Sequence, residues 1–218
     1  MKLLLTSAGF QTPEIVRACA ALVGKPKDEI HFAVINEAYA VEYGDHWWVL
    51  NDLNSIRDNF GGAMELVNLL ALDLQAVKSR IEKADVIFVV GGNTDYLMSV
   101  FAKTGFGKLL PELLKTKVYV GSSAGSMVLG KRVTAEAYAK TYGEEDDYGV
   151  SRYLGLVDCA IKPHMNNPLF PNNRKEILQE AVREYVGTVY GLADDAAIAV
   201  DGDELEFVGS EPVKIVMS

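Results

Sequence analysis

Residues 118–125 read Val118-Tyr119-Val120-Gly121-Ser122-Ser123-Ala124-Gly125, a short apolar run that ends in a turn of the form G-x-S-x-G. β-Branched and aromatic residues without an intervening charge predict a strand covered on both faces, as in a parallel sheet. The small residues that follow predict a sharp strand-to-helix turn, strained at Ser123 so that its hydroxyl stands clear. The next backbone N–H, on Ala124, then points at an oxyanion forming on a substrate and is reinforced by the helix N-terminus. A turn that needs small residues only for packing has the same pattern, so the pentapeptide alone leaves both readings open.

Working outward, residues 86–90 form a second uninterrupted apolar run, ending at Gly91-Gly92-Asn93-Thr94. In open α/β sheets the functional crevice lies beyond the carboxyl ends of the strands, so both glycine turns sit where chemistry is done. Gly92 can offer a second oxyanion donor with no side chain in the way. A phosphate-cradling loop is the weaker reading, because neither G-x-G-x-x-G nor G-x-x-x-x-G-K-[ST] occurs here.

Residues 3–6 and 31–35 are further predicted strands, and residues 66–72, ambiguous by period, are assigned to a strand by their length. Helical spacing covers residues 75–83, 95–103, 108–115 and 174–186. Thr12 and Pro13 supply an N-cap and first-turn proline for a helix after the first strand. Residues 37–50, with Tyr39, Tyr43, Trp47 and Trp48, fit no period and are expected to form a long aromatic loop, followed by a short helix ending near Gly61. Residues 198–200, 205–208 and 213–216 are short and separated by turn pairs, and are expected to close the sheet as an antiparallel edge. The fold class is therefore α/β: a mostly parallel sheet with helices on both faces and an antiparallel C-terminal edge. Residues 1–218 are expected to form a single domain.

Composition narrows the partners. The chain has 218 residues, 49% of them apolar and 23% charged, enough for a sizeable core under an ordinary soluble surface. Lysine and arginine number 21 against 30 aspartates and glutamates, a formal charge of −9 that argues against nucleic acid and against anionic membrane surfaces. A small anionic substrate stays open, since one buried arginine overrides the far field. The two cysteines, Cys19 and Cys159, lie far apart with no C-x-x-C pair and are expected to be free thiols. No run approaches the length of a membrane span, and the apolar start is too short for a signal peptide, so a cytoplasmic location is expected.

A serine nucleophile needs a base. The three histidines are His31, His46 and His164. His31 opens a predicted strand and reads as structural, and His46 lies in the aromatic loop. His164, in Lys162-Pro163-His164-Met165-Asn166-Asn167, follows the apolar run 157–161 and lies in a strand-end loop, where a base has to arrive. The histidines lack H-x-x-x-H spacing, so no metal and no other cofactor is expected.

Gly91-Gly92-Asn93-Thr94, the Gly121–Gly125 elbow and Pro163-His164, in this order and spacing, resemble the peptidase E (aspartyl dipeptidase) family, a relative of cyanophycinase. The similarity runs from the first strand to about residue 200. It implies a class I glutamine amidotransferase-like (flavodoxin-like) three-layer sandwich and a serine peptidase. By motif, Ser123 is the nucleophile, His164 the general base, Gly92 and Ala124 the oxyanion donors, and Asn93 a shaper of the pocket. The family's acid lies between serine and histidine. Tyr138 stands near that place here, and Glu136 is the nearest carboxylate. Glu144, Glu145, Asp146 and Asp147 compete with it, and Asp158 and Asp194 are the outer alternatives. Met165 stands where phenylalanine is commoner in the family.

The implied substrate is a small peptide, a dipeptide with N-terminal aspartate, for which Arg174 is the candidate carboxylate receptor; a surface position is its rival reading. The tryptophan loop is a departure that suits either a lid or a homodimer contact. The other readings are a cyanophycinase-like or isoaspartyl-directed peptidase with the same residues, a non-catalytic binding module, and a flavodoxin-like cofactor carrier.

Overall fold

A computed structural model describes residues 1–143 and 148–217. In chain order the elements are β1 (Lys2–Thr6), α1 (Pro13–Val23), β2 (Phe32–Ile35), α2 (Trp47–Asn59), β3 (Met64–Leu66), α3 (Leu74–Ile81), β4 (Val86–Val89), α4 (Thr94–Thr104), α5 (Phe106–Leu113), β5 (Val118–Ser122), α6 (Ala124–Met127), α7 (Ala135–Tyr142), β6 (Ala160–Lys162), α8 (Lys175–Ala181), β7 (Gly187–Gly191), β8 (Ala197–Asp201), β9 (Glu204–Val208) and β10 (Val213–Met217). A seven-stranded sheet runs in the order β3-β2-β4-β5-β1-β8-β9, parallel from β3 to β1 and antiparallel at β8 and β9. A second, three-stranded sheet has the order β10-β7-β6.

The uninterrupted apolar strands have a direct cause. Successive side chains of a strand point to opposite faces, and both faces of this sheet are covered. Leu3, Leu5, Ile87, Val89 and Tyr119 pack on one side with Val77, Ile81, Leu97, Phe101, Phe106 and Leu110 of α3, α4 and α5. Leu4, Val86, Phe88, Val118 and Val120 pack on the other with Ile15, Val16, Cys19 and Leu22 of α1 and Val49 and Ile56 of α2. The result is a three-layer α/β sandwich.

Local signals account for several boundaries. The Thr12 hydroxyl accepts the Ile15 N–H, and Gly24 closes α1 in the left-handed region. Both cysteines are free and buried, and among the described residues no helix is long and apolar enough to cross a membrane.

Four expectations need correction. Residues 66–72 are not a strand: pairing with β2 ends at Leu66, and the Asn68 side chain accepts the N–H groups of Leu70 and Ala71, which turns the chain. The aromatic stretch is no loop throughout, because a 3₁₀ turn covers Glu37–Val41 and α2 already begins at Trp47. Only β8 and β9 extend the main sheet, while β10 pairs with β7. Helix α8 is also shorter than the spacing suggested, ending at Ala181.

The glycines of the elbow serve close approach. A Cβ on Gly125 would stand 2.1 Å from the Val89 carbonyl oxygen, and one on Gly121 would stand 2.5 Å from the Gly125 carbonyl carbon. Neither neighbour is a side chain that can swing away. Gly125→Ala is expected to destabilise the fold by about 2–3 kcal/mol or more, as overpacking against rigid backbone does, read as a lower urea midpoint at unchanged m-value.

Candidate active site

Ser123 stands at the C-terminal end of β5 and directly before α6, with φ 51° and ψ −112°. A non-glycine residue rarely adopts that backbone, which persists only where its surroundings hold it. Here they do. The Ser123 N–H donates to the Thr6 carbonyl at 3.2 Å, the Ser126 hydroxyl to the Thr6 and Gly121 carbonyls at 2.7 and 2.9 Å, and the Tyr119 hydroxyl to the Gly125 carbonyl at 2.6 Å. The elbow is therefore pinned to β1 on one side and β5 on the other.

His164 reaches the serine from the turn after β6, again with positive φ, 63°. Its Nε2 lies 2.9 Å from the Ser123 Oγ and its Nδ1 2.7 Å from Asp194 Oδ1. The ring stacks on Phe170 with centroids 4.6 Å apart and planes 14° from parallel. Met165, the residue after the histidine, is buried in a core cluster with Val189 and Ile215 of the second sheet, and Phe170 is the residue that gives His164 an aromatic face. The Ser7 hydroxyl, just beyond β1, accepts the His164 N–H at 2.8 Å and lies 3.0 Å from Asp194 Oδ1.

Asp194 sits between β7 and β8. Burial pulls its carboxyl upward, but the hydrogen bond and charge of His164, with further hydrogen bonds from Asn167 and Ser7, prevail and hold it below the usual aspartate range. The carboxylate is thus ionised at neutral pH and fixes the imidazole with Nδ1–H toward itself and Nε2 free to accept the serine proton.

The carboxylate proposed from sequence lies elsewhere. Glu136 is exposed in the first turn of α7, which Thr134 caps by accepting the Ala137 N–H. That turn points it outward, and the partner of His164 is Asp194. Asp158 is also exposed and pairs with Lys131. Glu144, Glu145, Asp146 and Asp147 lie outside the described residues.

Around Ser123 and His164 is a cavity of about 430 Å³. Gly91 and Gly92 border it beside the serine. Gly92 has φ 137°, and a Cβ there would lie 2.4 Å from the Ala38 carbonyl oxygen, so the turn admits only glycine. Ala124, adjacent to the nucleophile, is fully buried as the first residue of the four-residue α6. Asn93 does not line the cavity; its side-chain oxygen accepts the Tyr96 N–H at 2.9 Å and caps α4. Arg174 is exposed at the start of α8, its Nε donating to the Pro171 carbonyl, and does not border the cavity. Trp47 and Trp48 both line it, their rings edge to face at 6.3 Å. Among the described residues no group of three or more His, Cys, Asp or Glu side chains is placed to hold a metal ion.

A serine presented on a strand-to-helix turn of a mostly parallel three-layer sandwich marks a serine-type hydrolase. The sequence model of Peptidase family S51 matches residues 3–208, and the chain belongs to that family, the serine peptidases that include peptidase E. It is 32% identical over 154 residues to the Listeria monocytogenes protein named uncharacterized peptidase Lmo0363, covering 68% of this chain and 72% of that one. It is 26% identical over 155 residues to Peptidase E of Shewanella oneidensis, covering 66% and 64%. In structure it matches a protein of Listeria monocytogenes EGD-e described, with its 1.5 Å crystal structure, as a putative Peptidase E protein, with TM-score 0.77 and 27% identity, covering 96% and 98% of the two chains. A peptidase from an acI-B1 Actinobacterium, 17% identical, shares the fold at TM-score 0.70.

Proposed function

We propose that this serine peptidase hydrolyses short peptides through Ser123, His164 and Asp194 by way of an acyl-enzyme. The observation that carries the reading is the unbroken contact from Asp194 through both ring nitrogens of His164 to the Ser123 hydroxyl. His164 Nε2 takes the serine proton as Oγ attacks the scissile carbonyl, and Asp194 stabilises the imidazolium that forms. The carbonyl oxygen, now negative, is met by the N–H groups of Gly92 and Ala124. His164 then gives its proton to the leaving amine, whose bond to carbon breaks. A water molecule, deprotonated in turn by His164, releases the acyl group and restores the serine.

The cavity volume suits a peptide of very few residues, and the protein is taken to act as one domain. Dipeptides with N-terminal aspartate are the substrates that the family resemblance supplies. Arg174, their intended carboxylate receptor, stands outside the cavity, so these dipeptides enter as the reference class against which others are ranked.

A fluorophosphonate probe is the test. Peptide mass mapping after labelling is expected to find the adduct on Ser123 alone. An unlabelled protein, or an adduct on another residue, removes the assignment.

A further inference from the structure

The cavity that holds the nucleophile is acidic. Glu42, Asp52 and Asp194 line it, and among its described lining residues there is no lysine or arginine. Asp194 is engaged by His164. The other two carboxylates take no part in the proton transfers above.

Asp52 projects from α2 and is 3% exposed, yet it borders the cavity. Its Oδ1 lies over the bare Cα of Gly9, where a Cβ would come within 2.3 Å of it, and the Ser122 hydroxyl, one residue before the nucleophile, is beside it. Burial drives its carboxyl from the aspartate range up to about 7, with the Ser122 hydroxyl opposing. Glu42 is half-buried in the cavity wall; burial raises its carboxyl too, opposed by the Asn93 side chain and the charge of His46. The buried Lys162 does not line the cavity and packs instead on two rings that do, those of Tyr138 and Tyr142, its Nζ 3.6 Å from the Tyr142 ring centroid.

We infer that Asp52, assisted by Glu42, is the specificity-determining residue of this site, and that it selects substrates with a cationic nitrogen on the acyl side of the scissile bond. A cation brought against a carboxyl that burial makes reluctant to ionise favours its charged form, and the attraction offsets part of the desolvation cost. An acidic side chain in the same place finds no lysine or arginine among the described lining residues and is repelled by whichever of these carboxyls is ionised. An α-ammonium group and a basic side chain present the same chemistry, and the substrate panel separates them.

The inference rests on the peptidase reading, so the two are tested apart. Purified protein that reacts with fluorophosphonate at Ser123 is assayed on Lys-Ala, norleucine-Ala and Asp-Ala and on their N-acetyl forms. Wild type is expected to cleave at least one cationic member tenfold or more faster, in kcat/KM, than its neutral counterpart: free over acetylated norleucine-Ala if the α-ammonium group is read, Lys over norleucine if the side chain is. Asp-Ala is expected to be slowest of the free dipeptides. Asp52→Asn should bring the winning ratio to within about twofold of unity, and Glu42→Gln should lower it less. A wild-type ranking with Asp-Ala first, or equal rates across charge, overturns the inference whatever the variants do. An unchanged ratio in Asp52→Asn overturns the residue assignment. Absence of fluorophosphonate labelling counts instead against the peptidase site itself.

Discussion

Ser123→Ala is expected to lower kcat by a factor on the order of 10⁴–10⁶, the range seen when the nucleophile of a cooperating serine triad is removed. The loss should fall on kcat with KM little changed, since the hydroxyl does its work after the peptide is bound. Alanine brings no new backbone strain, because serine already holds the same Cβ at φ 51°. The backbone bond from residue 123 to the Thr6 carbonyl and the bonds from Ser126 survive the change, so the melting temperature should move by no more than a few degrees. Single-turnover hydrolysis of the best peptide in the substrate panel, beside a thermal melt, checks both halves. Hydrolysis at a substantial fraction of the wild-type rate shows that another group attacks.

Asp194→Asn is expected to cost about 10⁴ in kcat, the magnitude found when the acid of a serine triad is made neutral and the imidazole is left in the wrong tautomer. An asparagine amide can turn its NH₂ toward Nδ1, which leaves the hydrogen on Nε2 and takes away the acceptor that Ser123 needs. It also exchanges the acceptor that Asn167 and Ser7 now share for a group that satisfies only some of them. Glu136→Gln is the matched control on an exposed first-turn residue of α7 and should leave kcat within about twofold, as surface changes do. If Glu136→Gln proves the more damaging of the two, the assignment of the acid is reversed.

The contrast between these carboxylates shows what the sequence made legible. Five contiguous residues encode the elbow: the two glycines are needed because backbone approaches within van der Waals distance, and a local requirement leaves a local pattern. The sheet was legible for a similar reason, since strands covered on both faces have nowhere to place a charge. His164 could be reached by elimination among three histidines and by its place beyond an apolar run. Asp194 had no such signature. It lies 30 residues past His164 and joins the site only because β6 and β7 are parallel neighbours whose exits open at the same edge. The family pattern, with its acid between the serine and the histidine, ranked Glu136 first and left Asp194 only an outer alternative. The one available hint was Ala193-Asp194-Asp195 directly after a buried strand, the kind of strand-end position that had already singled out His164.

The misreadings elsewhere have physical causes too. Residues 37–50 showed no period because their side chains divide between the packed core and a cavity wall, two environments with no common repeat. Leu69 is buried and Leu70 exposed, an apolar pair that looked like a strand until the Asn68 side chain took over the N–H groups a ladder would have used. The charge inside the cavity was the opposite case. Asp52 reads in sequence as an ordinary acid on the polar face of a helix, and only the fold reveals that it is enclosed.

The nucleophile rides on the seven-stranded sheet, whereas the imidazole leaves the three-stranded one and the acid bridges the two. One small hydroxyl, that of Ser7, rivets the joint. Hydrogen-bonded proton transfer tolerates misplacement of about half an ångström, far less than a packed core needs to come apart. The two sheets therefore act as the jaws of a caliper: a slip that the fold would scarcely register is enough to put the instrument out of adjustment.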